Sequence, residues 1–228
     1  MNIAALQSSI DNGIEVLKEL HLFKSKGTKF LYKNGVSDDF KKTSLSGDYF
    51  KIYRCAIQNL DYDLLLTDDS IFQFEIDPNG ARFAFFQNPL EFISYENYIL
   101  QFFDDYNEGY DEHFQMEYEQ FRNEQNINTG AITIRYDLDY PNYNANIHSV
   151  SHYHIGNQNN VRIPCDKIIT PLTFILFVIK HSYYHEWKVA IEEENEVLNH
   201  FLNLSKANCI NLIDPHWIDR ERREFFLT

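Results

Sequence analysis

The sequence predicts an α+β fold, an antiparallel sheet flanked by helices in one domain, and three observations lead there. Apolar residues recur at helical spacing near the start of the chain, at Leu6, Ile10, Ile14, Leu17 and Leu20. Further on, several segments alternate apolar and polar residues with the period of two that a half-buried strand requires. Between two such runs stands Asp77-Pro78-Asn79-Gly80, and an Asn-Gly turn so placed is the strongest short-range mark of a hairpin. A sheet of about five to seven strands is expected, covered by an N-terminal helix, acidic middle helices and a late apolar helix.

Taken in order, residues 3–22 read as an amphipathic helix. Residues 24–42 are basic, are interrupted by Gly27 and Gly35, and read as a loop with short ordered pieces. Residues 49–57 alternate around aromatic and β-branched positions and 63–67 carry three leucines, so both read as strands. Ile71, Phe72, Phe74 and Ile76 before the Asn-Gly turn, and Phe83, Phe85 and Phe86 after it, form the hairpin over 70–87. Residues 91–125 turn helical and acidic. Tyr95, Tyr98, Ile99, Phe102 and Phe103 make one apolar side; Phe114, Tyr118 and Phe121 make a second after a break near Gly109. Strands return at 131–140, 148–155 and 161–163. Pro171 then opens an apolar helix running to about Trp187, its fixed φ suiting a first helical turn. A last helix is expected over 192–204, followed by a charged tail at 220–224. No repeat, linker or low-complexity tract divides the chain.

Composition removes several classes of function. With 228 residues, 44% hydrophobic and 16% aromatic, the chain has the material for a large core and is no disordered segment. Its 34 acidic residues against 20 basic ones give a net charge of −14, which repels nucleic acid and anionic membranes at long range. A local basic pocket for one phosphate remains compatible with that field. Cys55, Cys165 and Cys209 form no CxxC pair and read as reduced thiols of a cytosolic protein. The first twenty residues, with Asp11, Glu15, Lys18 and Glu19, contain no signal-peptide core, and the apolar run 172–179 is too short for a bilayer, which takes about 20 residues. A cytoplasmic protein without membrane contact is expected.

The chemistry concentrates between Arg135 and Arg162. Over 131–140, Ile132, Ile134, Tyr136, Leu138 and Tyr140 fall on one strand face, and Thr133, Arg135, Asp137 and Asp139 on the other. His148, Val150, His152 and His154 share a parity, so an extended strand would put three imidazoles on one face. The turn-rich link 141–146 makes antiparallel pairing of the two segments plausible, and this would set Arg135, Asp137 and Asp139 opposite the histidines. Gly156 allows a sharp turn after them. Arg162 adds a second cation.

Two chemistries use such a set. His148, His152, His154 and Asp137 are candidate ligands of a divalent metal such as zinc, manganese or iron, and an open position would polarise a water. The cupin arrangement would want a glutamate soon after His-x-His, where Gln158, Asn159 and Asn160 stand. Without a metal, His152 and His154 are candidate acid and base, Arg135 and Arg162 candidate phosphate holders, and Asp137 and Asp139 candidate orienters of a histidine. Against both stands a plain reading in which Asp137 and Asp139 pair with the arginines and the histidines hydrogen-bond across strands. His181 and His185 lie four apart on a helix but lack the glutamate of a zinc-protease motif, since Ser182 takes its place. No nucleotide-binding loop or serine-hydrolase elbow occurs in its required context.

The run Arg135-Tyr-Asp137-Leu-Asp139, His148-Ser-Val-Ser-His152-Tyr-His154-Ile-Gly156, Arg162-Ile-Pro164 and Pro171-Leu-Thr-Phe174 resembles a family of uncharacterised bacterial proteins, the domain-of-unknown-function 2290 family. The resemblance covers about the last 100 residues by pattern. It implies a bacterial origin and a shared site, and brings no activity with it. More loosely, an Arg-Tyr-Asp strand before clustered histidines is similar to some small bacterial toxin-like proteins. The leading expectation is therefore a phosphodiester-cleaving enzyme, RNase-like, in a bacterial defence or toxin setting, acting on RNA or another phosphate-containing ligand. One alternative is an antitoxin-like or inhibitor protein that meets a basic partner through its acidic surface, including the run 104–120. Another is a metal-dependent hydrolase of a small molecule.

Overall fold

In the computed structural model, which describes residues 3–27, 35–103, 111–158, 161–224 and 226–227, one sheet follows the order of the chain without a crossover. Its strands are β1 (Phe23–Lys26), β2 (Leu64–Leu66), β3 (Ile71–Asp77), β4 (Gly80–Phe86), β5 (Thr133–Asp139), β6 (Ser151–Ile155) and β7 (Val161–Pro164), and every neighbouring pair is antiparallel. The helices are α1 (Ile3–Glu19), α2 (Asp38–Ser44), α3 (Tyr49–Gln58), α4 (Tyr95–Phe102), α5 (Asp111–Asn123), α6 (Pro171–Ser182), α7 (Tyr184–Glu192) and α8 (Glu196–Asn208). A two-stranded ladder joins β8 (Lys167–Ile168) to β9 (Ile210–Asn211). The protein is an α+β protein with an antiparallel sheet, as its sequence predicts.

One face of the sheet holds the main core. Phe72 and Phe74 of β3, Phe83 and Phe85 of β4, Ile134 and Tyr136 of β5 and Tyr153 of β6 pack against Leu6, Ile10, Ile14 and Leu17 of α1 and the apolar side of α6. Each such side chain, fully buried, contributes about 1.5–3 kcal/mol. Phe174 of α6 sits edge-on or tilted to Phe72, Phe74 and Phe83, with ring centroids 5.9–6.5 Å apart. The Thr170 hydroxyl accepts from the Thr173 amide and Pro171 takes the first helical turn, so α6 begins where predicted.

The opposite face is divided. At one end α2 and α3 cover Ile71, Ala84 and Phe86 with Phe40, Ile52, Tyr53 and Ala56. Beyond that cover the same face turns polar, and there the site lies.

Two expectations are corrected. Residues 49–57 form the helix α3, not a strand. Asp48 caps it by accepting from the Lys51 amide, and Ile52, Tyr53 and Ala56 bury at helical spacing. The apolar run after Pro171 breaks at Tyr183, whose hydroxyl donates to Asp68 at 2.9 Å, so α6 and α7 are separate helices. In the basic segment, expected as a loop with short ordered pieces, the ordered pieces are β1 at its start and α2, capped by Ser37, near its end; its residues 28–34 lie outside those described. The break near Gly109 also lies outside them, with α4 and α5 on either side. All three cysteines are free thiols. Among the described residues no helix is long and apolar enough to cross a membrane.

Candidate functional site

The register of three ladders assembles the site. In β4–β5, Arg82 pairs with Asp137 and Ala84 with Arg135. In β5–β6, Asp137 pairs with His152 and Arg135 with His154. In β6–β7, His154 pairs with Arg162. Because side chains alternate across a strand, Arg82, Arg135, Asp137, His152, His154 and Arg162 all issue from one face of four adjacent strands. The strand after His154 ends at Gly156, where φ is +96°, and Asn157 closes the turn by donating to the Ala131 carbonyl at 2.8 Å.

Asp137, His152 and His154 converge. The two Nε2 atoms stand 3.0 Å apart, and they lie 3.9 Å (His152) and 3.4 Å (His154) from Asp137 Oδ2. These side chains are almost wholly buried, with His152 1% and His154 3% exposed. Nδ1 of His152 lies 2.8 Å from the Ser149 carbonyl, an acceptor, so the ring proton belongs on Nδ1 and Nε2 offers a lone pair to the cluster. Arg135 donates to Asp137 Oδ2 through Nε at 3.1 Å and Nη2 at 2.9 Å, and Arg82 Nε approaches Oδ1 at 3.3 Å. Charged partners on both oxygens fix the carboxylate in place.

A family profile described as an uncharacterised conserved protein (DUF2290) matches residues 22–227. The chain belongs to the DUF2290 family. No curated protein and no solved structure matches it. The meaning of this DUF2290 site therefore rests on its own chemistry.

Electrostatics separate the roles. Burial alone would raise the pKa of Asp137, but the hydrogen bond from His154 and the charges of Arg135 and Arg82 outweigh it and hold the carboxyl well below the usual range. Burial presses His152 down to about 4, more than the nearby Asp137 raises it, so its ring is neutral at pH 7. The DUF2290 cluster is thus one carboxylate and at least one neutral imidazole beneath two guanidinium groups.

The remaining predicted residues are placed differently. His148 precedes β6, because the chain turns at Asn146 (φ +63°) and forms an isolated bridge at Asn144–His148. Its ring still reaches the stack, 4.8 Å from the His152 ring, which is itself 4.8 Å from that of His154. Val150 departs from the shared parity and packs on Leu212 and Trp217. Asp139 stands apart from the cluster, accepting from the Asn142 side chain at 3.0 and 3.1 Å, with His148 Nε2 at 3.9 Å. Arg162 is exposed, and its charge contributes to the lowering of the His152 pKa. Arg82, which the sequence reading did not name, joins the cluster through Asp137. Beside the cluster a cleft of about 270 Å³ is lined by Glu75, Asp77, Arg82, Asp137, Asp139 and Asn142 among others, so Asp137 belongs to both.

Proposed function

We infer that this chain hydrolyses a phosphate ester, with the phosphodiester of RNA as the leading substrate. The observation that carries this reading is the convergence of Asp137, His152 and His154 beneath Arg82 and Arg135, with Arg162 on the neighbouring strand. A buried carboxylate–imidazole cluster supplies places to hold and move a proton or a water. Guanidinium groups match a phosphate in charge and geometry and stabilise the charge that grows on its oxygens during transfer. A site made only to close the fold would have less need of three arginines around two buried imidazoles.

The test is hydrolysis of bis(p-nitrophenyl) phosphate and of single-stranded RNA by the wild-type chain and by His152→Ala/His154→Ala. Loss of about 100-fold or more in the double variant is expected, the scale on which one positioned acid or base acts. No turnover of either substrate by the wild type, or equal turnover by the variant, overturns the reading. Turnover of the small diester without RNA cleavage would point to a small-molecule hydrolase.

A second reading, docking of a basic protein, is favoured by the net charge of −14 and by Glu75, Asp77 and Asp139 along the cleft. It requires a salt-sensitive complex that is indifferent to His152→Ala.

A further inference from the structure

We propose that Asp137, His152 and His154 bind one divalent transition-metal ion of the zinc type. The donor atoms, one from each residue, all lie within 4.8 Å of one another. The three sides of the triangle they form are 3.0, 3.4 and 3.9 Å. A point equidistant from the three atoms lies about 2.0 Å from each, within the range of zinc–nitrogen and zinc–carboxylate bonds, about 2.0–2.2 Å.

The surroundings prepare these atoms as ligands. The Ser149 carbonyl holds the His152 proton on Nδ1, the outer hydrogen bond that a metal-binding imidazole usually makes, and frees Nε2. His154 is 3% exposed, and its Nδ1 has no hydrogen-bond partner, so the polar anchorage of that ring runs through Nε2 and the triangle. Without an ion, two nitrogens 3.0 Å apart can share only one proton. Ion pairing with Arg82 and Arg135 accounts for the carboxylate, but for neither imidazole.

Two imidazoles and one carboxylate leave coordination positions open, and this donor set suits zinc, ferrous iron or manganese rather than calcium or magnesium. His148 and Asp139 fall outside the triangle and are not ligands. With the ion in place, its charge and the two guanidinium groups exceed the single carboxylate, so the centre attracts an anion. Its use rests on the phosphodiester reading; its existence does not. A water on the open position would lose a proton to solvent and add to phosphorus as hydroxide, the ester P–O bond would break, and the departing oxygen would take up a proton from solvent.

The test uses the full chain purified without a polyhistidine tag, stripped with chelator and titrated separately with Zn²⁺, Co²⁺, Mn²⁺ and Fe²⁺. Elemental analysis after gel filtration should count one ion per chain, and Co²⁺ should give a visible band set by nitrogen ligation. Affinity should fall about tenfold or more in His152→Ala/His154→Ala and in Asp137→Asn, while His148→Ala and Asp139→Asn keep it. If the ligand variants do not fold, the wild type decides through a rise in Tm with Zn²⁺ that chelator reverses. No ion retained by the wild type, or uptake unchanged in the double variant, overturns the proposal. A bound ion without phosphodiester hydrolysis would sink the proposed reaction and leave the metal centre standing. Full hydrolysis by the stripped chain would remove the ion from the reaction and leave its binding to be decided by the ion count.

Discussion

His152 is held uncharged by burial, and that has a thermodynamic signature. The unfolded chain takes up the imidazole proton near its ordinary 6.5, whereas the folded chain does so only near 4. Between those values the unfolded state binds more protons. The metal-free protein should therefore gain stability as pH rises from about 4 to about 6.5, by up to about 1.4 kcal/mol per pH unit, and level off above. Asp137 acts in the same direction at lower pH, since its folded pKa is depressed: its contribution is present above the ordinary carboxylate range and lost as pH falls through it. Urea unfolding of chelator-treated His152→Asn across this window should show a shallower slope than wild type; equal slopes would mean that the ring is not neutral in the fold. At this scale the sequence was informative where the period of two holds, because Arg135, Asp137, His152 and His154 keep their parity throughout β5 and β6. The strand itself stops short of His148 and Val150, where the left-handed Asn146 and the bridge after it intervene, although the His148 ring still stacks on that of His152.

The β3–β4 hairpin, legible from Asp77-Pro78-Asn79-Gly80 although the turn itself falls on Pro78-Asn79, supports the site. Asp77 pairs with Gly80 across the turn, and Gly80 pairs on its other side with Asp139 of β5. A Cβ at Gly80 would fall onto the Leu138 carbonyl, a backbone atom that cannot rotate away. Gly80→Ala should push β5 off β4, with a loss of about 1–3 kcal/mol by thermal unfolding, and should disturb the Arg82–Asp137 pair two rungs away. A variant as stable as wild type would show that the two strands are not held at this spacing. Arg82 could not be found from sequence for a related reason. The hairpin fixes Arg82 opposite Glu75, but its pairing with Asp137 spans 55 residues and is set by the packing of β4 on β5. The helix α3 was misread because its aromatic residues fit a strand pattern as well as a helical one, and the Asp48 cap and burial against Phe86 decide for the helix.

For the molecule as a whole, topology and charge act in opposite senses on an anionic substrate. A meander that never leaves chain order brings the sequence-distant Arg82 and Arg162 to one face with the histidines between them, so positive charge is gathered in one place. The rest of the surface carries the excess that makes the net charge −14, and the cleft beside the cluster is itself edged by Glu75, Asp77 and Asp139. Ionic strength separates the two. The Debye length falls from about 30 Å at 0.01 M salt to about 8 Å at 0.15 M, so salt removes the long-range repulsion first and leaves arginine contacts at hydrogen-bond distance comparatively intact. For a long RNA, kcat/KM should rise several-fold as salt is increased over this range, opposite to the behaviour of a basic nuclease, whose affinity comes from counterion release. A dinucleotide, which carries little charge beyond the site, should respond far less. Steady-state cleavage of both at several salt concentrations measures this. A fall in kcat/KM for the long substrate would mean that it binds across a basic surface, which a chain of this charge pattern would have to assemble with a second molecule.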